Sequence, residues 1–418
     1  MNSRWTLKKR PGYTPPKGPV VLLILDGVGM GKDYGSNAVT AAHMPVLNRL
    51  FKLPTFRLLK AHGKAVGMPS DEDMGNSEVG HNALGAGRVF DQGAKLVDHA
   101  IRSGAVFEGE TWKSLVKNGI AHHSTLHFIG LLSDGNVHAH IDHLLAMIDR
   151  AAAAGVKKVR VHVLTDGRDV DQKSALRYID RLEATLAQAN TTTGNDYRIA
   201  SGGGRMVVTM DRYNADWPMV ERGWRTHVQG QGRQFASARQ AVETFYAEDP
   251  KVNDQYLPPF VIADHGEPVG KIHDGDSVIL FNFRGDRAME LASAFESDDF
   301  THFDRGHRPR VKFAGMMQYD GDLKLPAHYL VDPPTIDRSV SHHLCASGIR
   351  SFAISETQKY GHVTYFWNGN RTGYVDKTLE TYVEIPSYNV PFDEIPKCGL
   401  RKLRPKKYPA QSRIPERK

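Results

Sequence analysis

The stretch VRVHVLTDGRD (residues 159–169) sets the pattern of this chain, an apolar run that ends in a loop of aspartate, glycine and arginine. Similar apolar runs end in polar loops at residues 20–25, 126–132 and 277–283. Apolar residues at three- and four-residue spacing predict helices over residues 140–154, 172–188 and 286–295. Strands that alternate with helices predict an α/β fold with a mainly parallel sheet, which binds ligands at the carboxyl ends of its strands.

Length and composition narrow the class of protein. A chain of 418 residues is too long for one ordinary core and predicts two domains. Only Cys345 and Cys398 occur, which excludes a disulfide framework and favours a reducing compartment. Residues 1–18 are polar and basic rather than a signal peptide, and residues 20–25 have the length of a strand, not of a membrane span. We therefore expect a cytoplasmic protein without a membrane partner.

The net charge of +7 is concentrated at one end of the chain. Residues 397–418 contain nine lysines and arginines and one acid, Glu416, so residues 1–396 carry a net charge of −1. A segment rich in proline and basic residues with few apolar ones predicts disorder. Such a tail could touch RNA or an acidic surface, but we favour a solvated extension and expect no nucleic-acid partner.

A candidate nucleophile lies in the run MGNSEVGH (residues 74–81). Ser77 has glycines on both sides and carboxylates upstream, which predicts a turn that presents its hydroxyl at the start of a helix. The amides of a helix start favour negative charge and would stabilise a phosphoserine there. Asp26 is the nearest obvious hard-oxygen ligand for a metal that could activate the serine. The pair predicts phosphoryl transfer through a covalent phosphoenzyme.

Arginines gather in the loops that follow the predicted strands. These are Arg168, Arg205, Arg212, Arg284 and Arg287, accompanied by Asp169, Asp211 and Asp286. Guanidinium groups bind phosphate and carboxylate bidentately, and the glycine-rich residues 201–205 allow a close backbone approach to an anion. Surface ion pairs are the alternative for any one arginine. For the set, we favour a site for a small, doubly anionic ligand.

Two histidine motifs have competing interpretations. His138 and His140 resemble a metal-binding pair, but they lie where a loop enters a predicted helix, so their side chains need not point in the same direction. We favour a hydrogen bond from His138 to substrate over a metal role. Asp264, His265 and Gly266 lie among turn residues, and we interpret them as a loop rather than a metal site.

Seven motifs, in one order between about residues 19 and 396, resemble those of the cofactor-independent phosphoglycerate mutases, in particular the plant and trypanosomatid branch. They are LDGVG (25–29), GNSEVGHNALGAGR (75–88), SDGNVHAHIDH (133–143), TDGRD (165–169), GGGRMVVTMDRY (202–213), FNFRGDR (281–287) and SETQKYGHVTYFWNGN (355–370). The resemblance implies a glycolytic isomerase that interconverts 3-phosphoglycerate and 2-phosphoglycerate through a phosphoserine, without 2,3-bisphosphoglycerate. A phosphatase or phosphopentomutase of the same superfamily is disfavoured, because the whole arginine-rich region matches the mutases.

The resemblance also implies roles for single residues. Ser77 would be the nucleophile and, with Asp26, a ligand of one of two divalent ions; manganese is expected, and magnesium or cobalt are possible. The residues implied to bind phosphoglycerate are His138, Arg168, Asp169, Arg205, Arg212, Arg284, Arg287 and Lys359. The family implies an alkaline-phosphatase-like domain, here residues 19–95 and 319–396, with a second α/β phosphotransferase domain inserted at residues 96–318. A monomer is expected.

The resemblance stops near residue 396. Members of the family continue with a motif of the form DMVGHTG, a DHGN motif and a further histidine, which supply the other metal ligands and strands of the phosphatase sheet. On this comparison one metal site keeps only Asp26 and Ser77 and the other keeps none, so the C-terminal part of the phosphatase domain is missing. Two hypotheses follow: an active mutase, or a catalytically inactive remnant that still binds phosphoglycerate.

Overall fold

A sheet of nine strands forms the centre of the structure, a computed structural model that describes residues 5–212, 214–321, 323–334 and 336–387. In chain order the strands are β1 (Leu126–Leu131), β2 (Lys158–Thr165), β3 (Asp196–Gly204), β4 (Arg233–Phe235), β5 (Phe260–Asp264), β6 (Glu267–Pro268), β7 (Ser277–Leu280), β8 (Lys312–Met317) and β9 (Tyr329–Val331). Their spatial order is β4-β5-β3-β2-β1-β7-β8-β9, and β6 pairs with β5. The predicted tail, residues 397–418, lies outside the described residues.

The pairing is parallel except around β5. β1 runs parallel to β2 and β7, β2 to β3, β7 to β8, and β8 to β9. β5 is antiparallel to β3 and β6 but parallel to β4. The predicted mainly parallel α/β sheet is therefore confirmed. Because β1, β2, β3 and β7 point the same way, the loops that follow them meet at one edge of the sheet.

Helices cover the sheet and flank it. They are α1 (Ala38–Ala41), α2 (Pro45–Leu50), α3 (Ser77–Ala86), α4 (Gly93–Ser103), α5 (Ala105–Glu108), α6 (Glu110–His122), α7 (Ile141–Ala154), α8 (Ala175–Thr193), α9 (Trp217–Gly223), α10 (Ala238–Glu248), α11 (Met289–Glu296), α12 (Val340–Ala346) and α13 (Thr357–Gly361). Single turns of π-helix follow α9 and α13, at Trp224–Val228 and His362–Phe366. Within the described residues, no helix combines the length and apolar character needed to cross a bilayer.

The three predicted helices are present, with shifted ends. α7 begins one residue late because the His140 side chain caps it, accepting from the Asp142 amide at 3.1 Å. α8 begins at Ala175 because the Asp254 carboxylate accepts from the amides of Ser174 and Ala175, at 2.7 and 2.8 Å. Both shifts follow from a side chain that satisfies the free amides of a helix start.

Two hydrophobic cores pack against the sheet, whose successive side chains point to opposite sides. In β1, Phe128 belongs to the larger core, while its neighbour Ile129 belongs to the smaller one with Trp224. All six residues of β1 are buried. Burial on both faces explains why the strands of this sheet are continuous apolar runs rather than alternating ones.

The carboxyl-terminal part of the described chain adds a second sheet, which has two parallel strands among the described residues, β10 (Ser351–Glu356) and β11 (Glu380–Ile385). The strand predicted at residues 20–25 was wrong: this segment has no regular secondary structure, and Val20 and Leu23 are 93% and 77% exposed. A strand needs a neighbour for its backbone groups, and no described strand pairs with these residues.

A chain of buried polar side chains crosses the large sheet. The links are His227 Nδ1 to Ser201 Oγ (2.8 Å), Ser201 Oγ to His162 Nδ1 (2.7 Å), His162 Nε2 to His127 Nδ1 (3.0 Å) and His127 Nε2 to Asp276 Oδ2 (3.2 Å). The Asp276 carboxylate can only accept, so His127 donates from Nε2, and each next group then donates toward Asp276. This single direction satisfies every link with all three imidazoles neutral.

Burial keeps these imidazoles neutral. It lowers the pKa of His127, holds that of His162 well below its usual value, and lowers that of His227 to about 3. The unfolded chain binds protons at these histidines below about pH 6.5, whereas the folded chain does not. The free energy of unfolding should therefore be highest above that pH and fall as the pH drops toward the folded pKa values.

We expect His162→Gln to reduce this acid dependence. This histidine is neutral in the folded chain and protonated in the unfolded one at acid pH. Its loss should lower the slope of the free energy of unfolding against pH by about 1.4 kcal/mol per pH unit at most. Urea unfolding between pH 5 and 8 measures the slope, with the exposed His122→Gln as control. An equal loss of slope in both variants would show that burial of His162 is not the cause.

Candidate active site

Ser77 is the first residue of α3, as predicted. The Asn76 side chain caps the helix by accepting from the Val79 amide at 3.2 Å. At Gly75 the chain passes so close to residue 61 that a Cβ would lie 1.9 Å from the Ala61 carbonyl oxygen, which only glycine avoids. These local features fix the serine hydroxyl at a helix start, where the backbone amides favour an anion.

Ser77, Asp26 and Lys359 form a compact polar group. The Ser77 hydroxyl donates to Asp26 Oδ2 at 2.6 Å, and Lys359 Nζ lies 2.6 Å from Ser77 Oγ and 2.5 Å from Asp26 Oδ2. Burial alone would raise the pKa of Asp26, but the hydrogen bonds from Lys359 and Ser77 hold it below its usual value. Asp26 therefore stays ionised and orients the hydroxyl, while the ammonium group places positive charge beside the serine oxygen.

The donors around Ser77 do not make a complete site for the divalent ions that the resemblance implies. Magnesium and related hard ions take about six oxygen ligands. Asp26 and Ser77 supply two oxygens, and the Lys359 ammonium contacts both of them. In the described ranges, no group of three or more histidine, cysteine, aspartate or glutamate side chains is arranged to hold a metal. The expected two-ion centre stays a prediction.

The loop after β2 holds Arg205 in a fixed orientation. Arg205 is 1% exposed, and its Nη1 lies 2.7 Å from Asp166 Oδ1 and 2.5 Å from Asp169 Oδ2. Asp166 also accepts from the amides of Arg168 and Asp169, at 3.2 and 3.1 Å. The TDGRD segment is therefore a rigid turn built around one carboxylate, while the Arg168 side chain remains exposed.

Arg284 connects the loop after β7 to the helix of the serine. Its Nε lies 2.7 Å from Glu78 Oε2 on α3 and 2.8 Å from Asp286 Oδ1. Burial raises the pKa of Glu78 to about 7, against the opposing effect of the Arg284 charge. The ion pair therefore ties the residue next to Ser77 to the arginine-rich edge of the large sheet.

Two further contacts join the same two sides. Arg212 Nε donates to Gln358 Oε1 at 3.1 Å, next to Lys359 in sequence. The side-chain amide of Asn136 donates from Nδ2 to Oδ1 of Asp73, which lies a few residues before Ser77, at 2.7 Å. With the Glu78–Arg284 pair, they join the edge of the large sheet to the region of the serine.

His138 and Asp286 lie at the centre of the arginines. His138 Nδ1 is 3.7 Å from Asp286 Oδ1, and both side chains are buried. Burial holds the pKa of His138 well below its usual value, and nearby cations lower it further: Arg205, Arg284, Arg287 and Arg212. His138 is therefore neutral and can donate or accept a hydrogen bond.

The clustered arginines repel one another. Burial lowers the pKa of Arg287 to about 9, and the charges that lower it further are those of Arg212, Arg205 and Arg168, opposed by Asp286. The guanidinium of Arg287 also donates to the Met210 carbonyl. Such a concentration of like charge favours binding of an anion with more than one negative charge.

The structure thus brings the sequence-predicted residues into two neighbouring groups. The serine group consists of Ser77, Asp26 and Lys359. The arginine group consists of His138, Arg168, Asp169, Arg205, Arg212, Arg284 and Arg287. His140 belongs to neither, since it caps α7, and His265 with Gly266 forms the turn of the β5–β6 hairpin. Sequence reasoning missed Glu78 as a site residue. Its only signal was its place beside Ser77, because the contact with Arg284 depends on the tertiary fold.

A positioned hydroxyl beside converging cations suits phosphoryl transfer, in which catalysis is mostly positioning and electrostatic stabilisation. A model of the family described as the BPG-independent PGAM N-terminus matches residues 97–321. A probable 2,3-bisphosphoglycerate-independent phosphoglycerate mutase of Leptospira interrogans is 57% identical over 394 residues, 93% of this chain and 71% of the relative. The Trypanosoma brucei brucei enzyme of that name is 53% identical, over 92% of this chain and 70% of its own.

A plant relative and a solved structure point to the same family as these two relatives. The 2,3-bisphosphoglycerate-independent phosphoglycerate mutase of Zea mays is 52% identical, over 92% of this chain and 68% of its own. Leishmania mexicana phosphoglycerate mutase, crystallised at low cobalt concentration, superposes with a TM-score of 0.87 at 53% identity, over 89% of this chain and 68% of that one. The chain belongs to the family of 2,3-bisphosphoglycerate-independent phosphoglycerate mutases, which are isomerases.

We expect Glu78→Gln to loosen the contact between α3 and the loop after β7. Glutamine keeps the size of the side chain but removes the carboxylate that lies 2.7 Å from Arg284 Nε. Amides of α3 should then exchange with solvent about tenfold faster or more, measured by hydrogen exchange and mass spectrometry.

Glu108→Gln is the matched control, because Glu108 pairs with Lys113 at 3.0 Å on the surface, with side chains 80% and 50% exposed. It should leave exchange in α3 unchanged. Unaltered exchange in Glu78→Gln would show that the buried pair does not hold the two regions together.

Proposed function

We propose that this chain interconverts 3-phosphoglycerate and 2-phosphoglycerate through a phosphoserine on Ser77. The observation that carries the proposal is the convergence of the arginine group with Ser77, joined by the Glu78–Arg284 pair. Phosphoglycerate carries a carboxylate and a phosphate, so it presents two anionic groups to these arginines. Membership of the mutase family and the names of the relatives support this substrate.

Positioning is the role we assign to the arginine group. Arg205 is held by Asp166 and Asp169, so its side chain loses little conformational entropy when an anion binds. Arg212, Arg284 and Arg287 surround His138, which is neutral and can hydrogen-bond a substrate hydroxyl or phosphate. These residues would keep the glycerate bound between the two phosphoryl transfers, while it turns so that its other hydroxyl faces the phosphoserine.

The serine group supplies the transfer itself. Ser77 Oγ attacks the phosphorus, a bond from Oγ to phosphorus forms, and the bond from phosphorus to the substrate oxygen breaks. The serine proton leaves along its hydrogen bond to Asp26 and then passes from Asp26 to the departing substrate oxygen. Lys359 and the amides of the α3 start stabilise the charge that develops on the phosphoryl group. The return step reverses these changes at the other hydroxyl, so protons balance over the cycle.

Closure between the two groups protects the intermediate. A phosphoserine exposed to water would hydrolyse and turn the enzyme into a phosphatase. The contacts Glu78–Arg284, Asn136–Asp73 and Arg212–Gln358 hold the two sides together around Ser77. We further propose that residues 19–95 and 319–396, of which 388–396 lie outside the described residues, form an alkaline-phosphatase-like domain with residues 96–318 inserted.

Some expectations remain proposals. Two divalent ions, with manganese expected, a monomeric state and a cytoplasmic location are predictions from the resemblance. The relatives' names support activity without 2,3-bisphosphoglycerate, and we propose the same for this chain. The chain spans 68% to 71% of the length of the relatives described above.

Binding of phosphoglycerate without turnover is the second candidate. The observation that favours it is the serine group itself, where Lys359 contacts both oxygens that a metal would use and the described residues supply no fuller donor set. Calorimetry with 3-phosphoglycerate, run beside a manganese-supplemented assay coupled through enolase, separates the two functions. Binding with no product supports this candidate, and product formation rejects it.

We expect Ser77→Ala to abolish formation of 2-phosphoglycerate and leave binding of 3-phosphoglycerate within about threefold, because alanine removes the nucleophile but none of the arginines. The coupled assay and calorimetry measure the two effects. Ser114→Ala, a serine on α6, is the control and should keep full activity. Turnover that survives in Ser77→Ala would reject the phosphoserine mechanism.

We expect Arg168→Gln to weaken binding of 3-phosphoglycerate about tenfold or more, because charged hydrogen bonds contribute about 1.5–3 kcal/mol each. Arg168 is exposed, so the melting temperature should not change. Arg239→Gln on α10 is the control, since Arg239 pairs with Asp180 on the surface. Equal affinity in the two variants would remove Arg168 from the binding site.

A further inference from the structure

A groove of about 930 Å³ lies along the side of the large sheet that carries β8, and no arginine of the loops after β2, β3 and β7 lines it. It is bounded by α6, the end of α11 and the segments that lead into β8 and β9. Residues 308–312 approach the amino end of β8, while Leu325 hydrogen-bonds Asp320, just after its carboxyl end, so the groove runs along the length of this strand. The volume is in the range of about 300–1,000 Å³ that is usual for small-molecule sites.

Basic side chains line this groove. Arg308, Arg310, Lys312 and Lys324 contribute four cations, while Glu296 is its carboxylate. Residues 1–396 have a net charge of −1, so this excess of positive charge is local and does not reflect a basic protein body. A concave surface lined by charges of one sign attracts ligands of the opposite sign.

The surrounding carboxylates leave part of this charge unbalanced. Glu296 accepts from the Ala327 amide at 2.9 Å, Arg308 pairs with Asp298 at 2.7 Å, and Arg310 Nε lies 3.5 Å from Asp274 Oδ2. Lys312 Nζ donates to Ser114 Oγ at 3.1 Å, a neutral partner on the α6 side of the groove. Among the described residues, neither Lys312 nor Lys324 has a carboxylate within ion-pair distance.

The groove also has apolar walls and a strained rim. Leu115, Phe313 and Leu325 line it beside the cations, and Leu323 is 64% exposed at its edge. Lys324 has a φ of 53°, an uncommon left-handed conformation for a residue with a side chain. Such strain is concentrated at functional sites and recognition loops.

We propose that this groove binds a small organic polyanion that has an apolar portion, such as a nucleoside polyphosphate. Lys312 and Lys324 contact the anionic groups, and Arg310, 86% exposed, adds to the field at the entrance. Leu323 and Leu325 cover the apolar portion. The site is separate from the arginine group, because none of the residues of that group lines the groove.

Calorimetry of ATP with the full chain tests the proposal. EDTA removes divalent ions, and saturating 3-phosphoglycerate occupies the arginine group. We expect saturable binding of ATP, weaker binding of inorganic tripolyphosphate because it lacks the apolar portion, and no binding of adenosine because it lacks the charge. Failure of ATP to bind saturably, or adenosine binding as well as ATP, would overturn the proposal.

Variants locate the site. Lys312→Glu and Lys324→Glu should each weaken ATP binding about tenfold or more, since each replaces an attraction with a repulsion. Lys312→Gln should give a smaller loss, and Leu323→Ser should weaken ATP but not tripolyphosphate. Lys251→Glu makes the same charge change after α10, near the β4 edge of the sheet, and should have no effect.

Thermal melting establishes that each variant is folded. ATP affinity that is unchanged in both Lys312→Glu and Lys324→Glu would place the phosphate elsewhere, on the arginine group or the basic tail, and would overturn the assignment. A loss of equal size in Lys251→Glu would have the same meaning, because it would show a general charge effect and not a site.

Discussion

The ion pair between Glu78 and Arg284 is the interaction on which the site depends. Glu78 follows Ser77 on α3, and Arg284 follows β7, so one contact of 2.7 Å brings the nucleophile to the anion-binding edge of the large sheet. Asp286 also holds Arg284, whose Nη2 donates to Asp286 Oδ2 at 3.0 Å. With the contacts Arg212–Gln358 and Asn136–Asp73, it joins Ser77 to the arginines.

Charge explains why the two groups have different compositions. The arginine group concentrates guanidinium charge: burial lowers the pKa of Arg287, and the charges of Arg212, Arg205 and Arg168 lower it further. The serine group holds Asp26 and Lys359 as a nearly neutral pair around one hydroxyl. The first arrangement favours binding and retention, while the second favours bond formation at a single oxygen.

The sequence predicted the arginine edge because parallel strands bring the loops that follow them together, so TDGRD, residues 201–205 and FRGDR needed only strand order to meet. It did not predict the partner of Glu78, which depends on how α3 packs against the sheet. The histidine chain was hidden for the same reason: His127 and His162 meet only in the register that pairs Ile129 with His162. The prediction of a strand at residues 20–25 was wrong because an apolar composition does not show whether a neighbouring strand is present to pair with it.

A phosphoryl group on Ser77 is the most direct sign of the proposed chemistry. The full chain is incubated with 3-phosphoglycerate and manganese and quenched in acid, and its peptides are then mapped by mass spectrometry. The account predicts one added phosphoryl group on the peptide that contains Ser77, and none when the incubation omits 3-phosphoglycerate. An unmodified Ser77 beside measurable formation of 2-phosphoglycerate would contradict it.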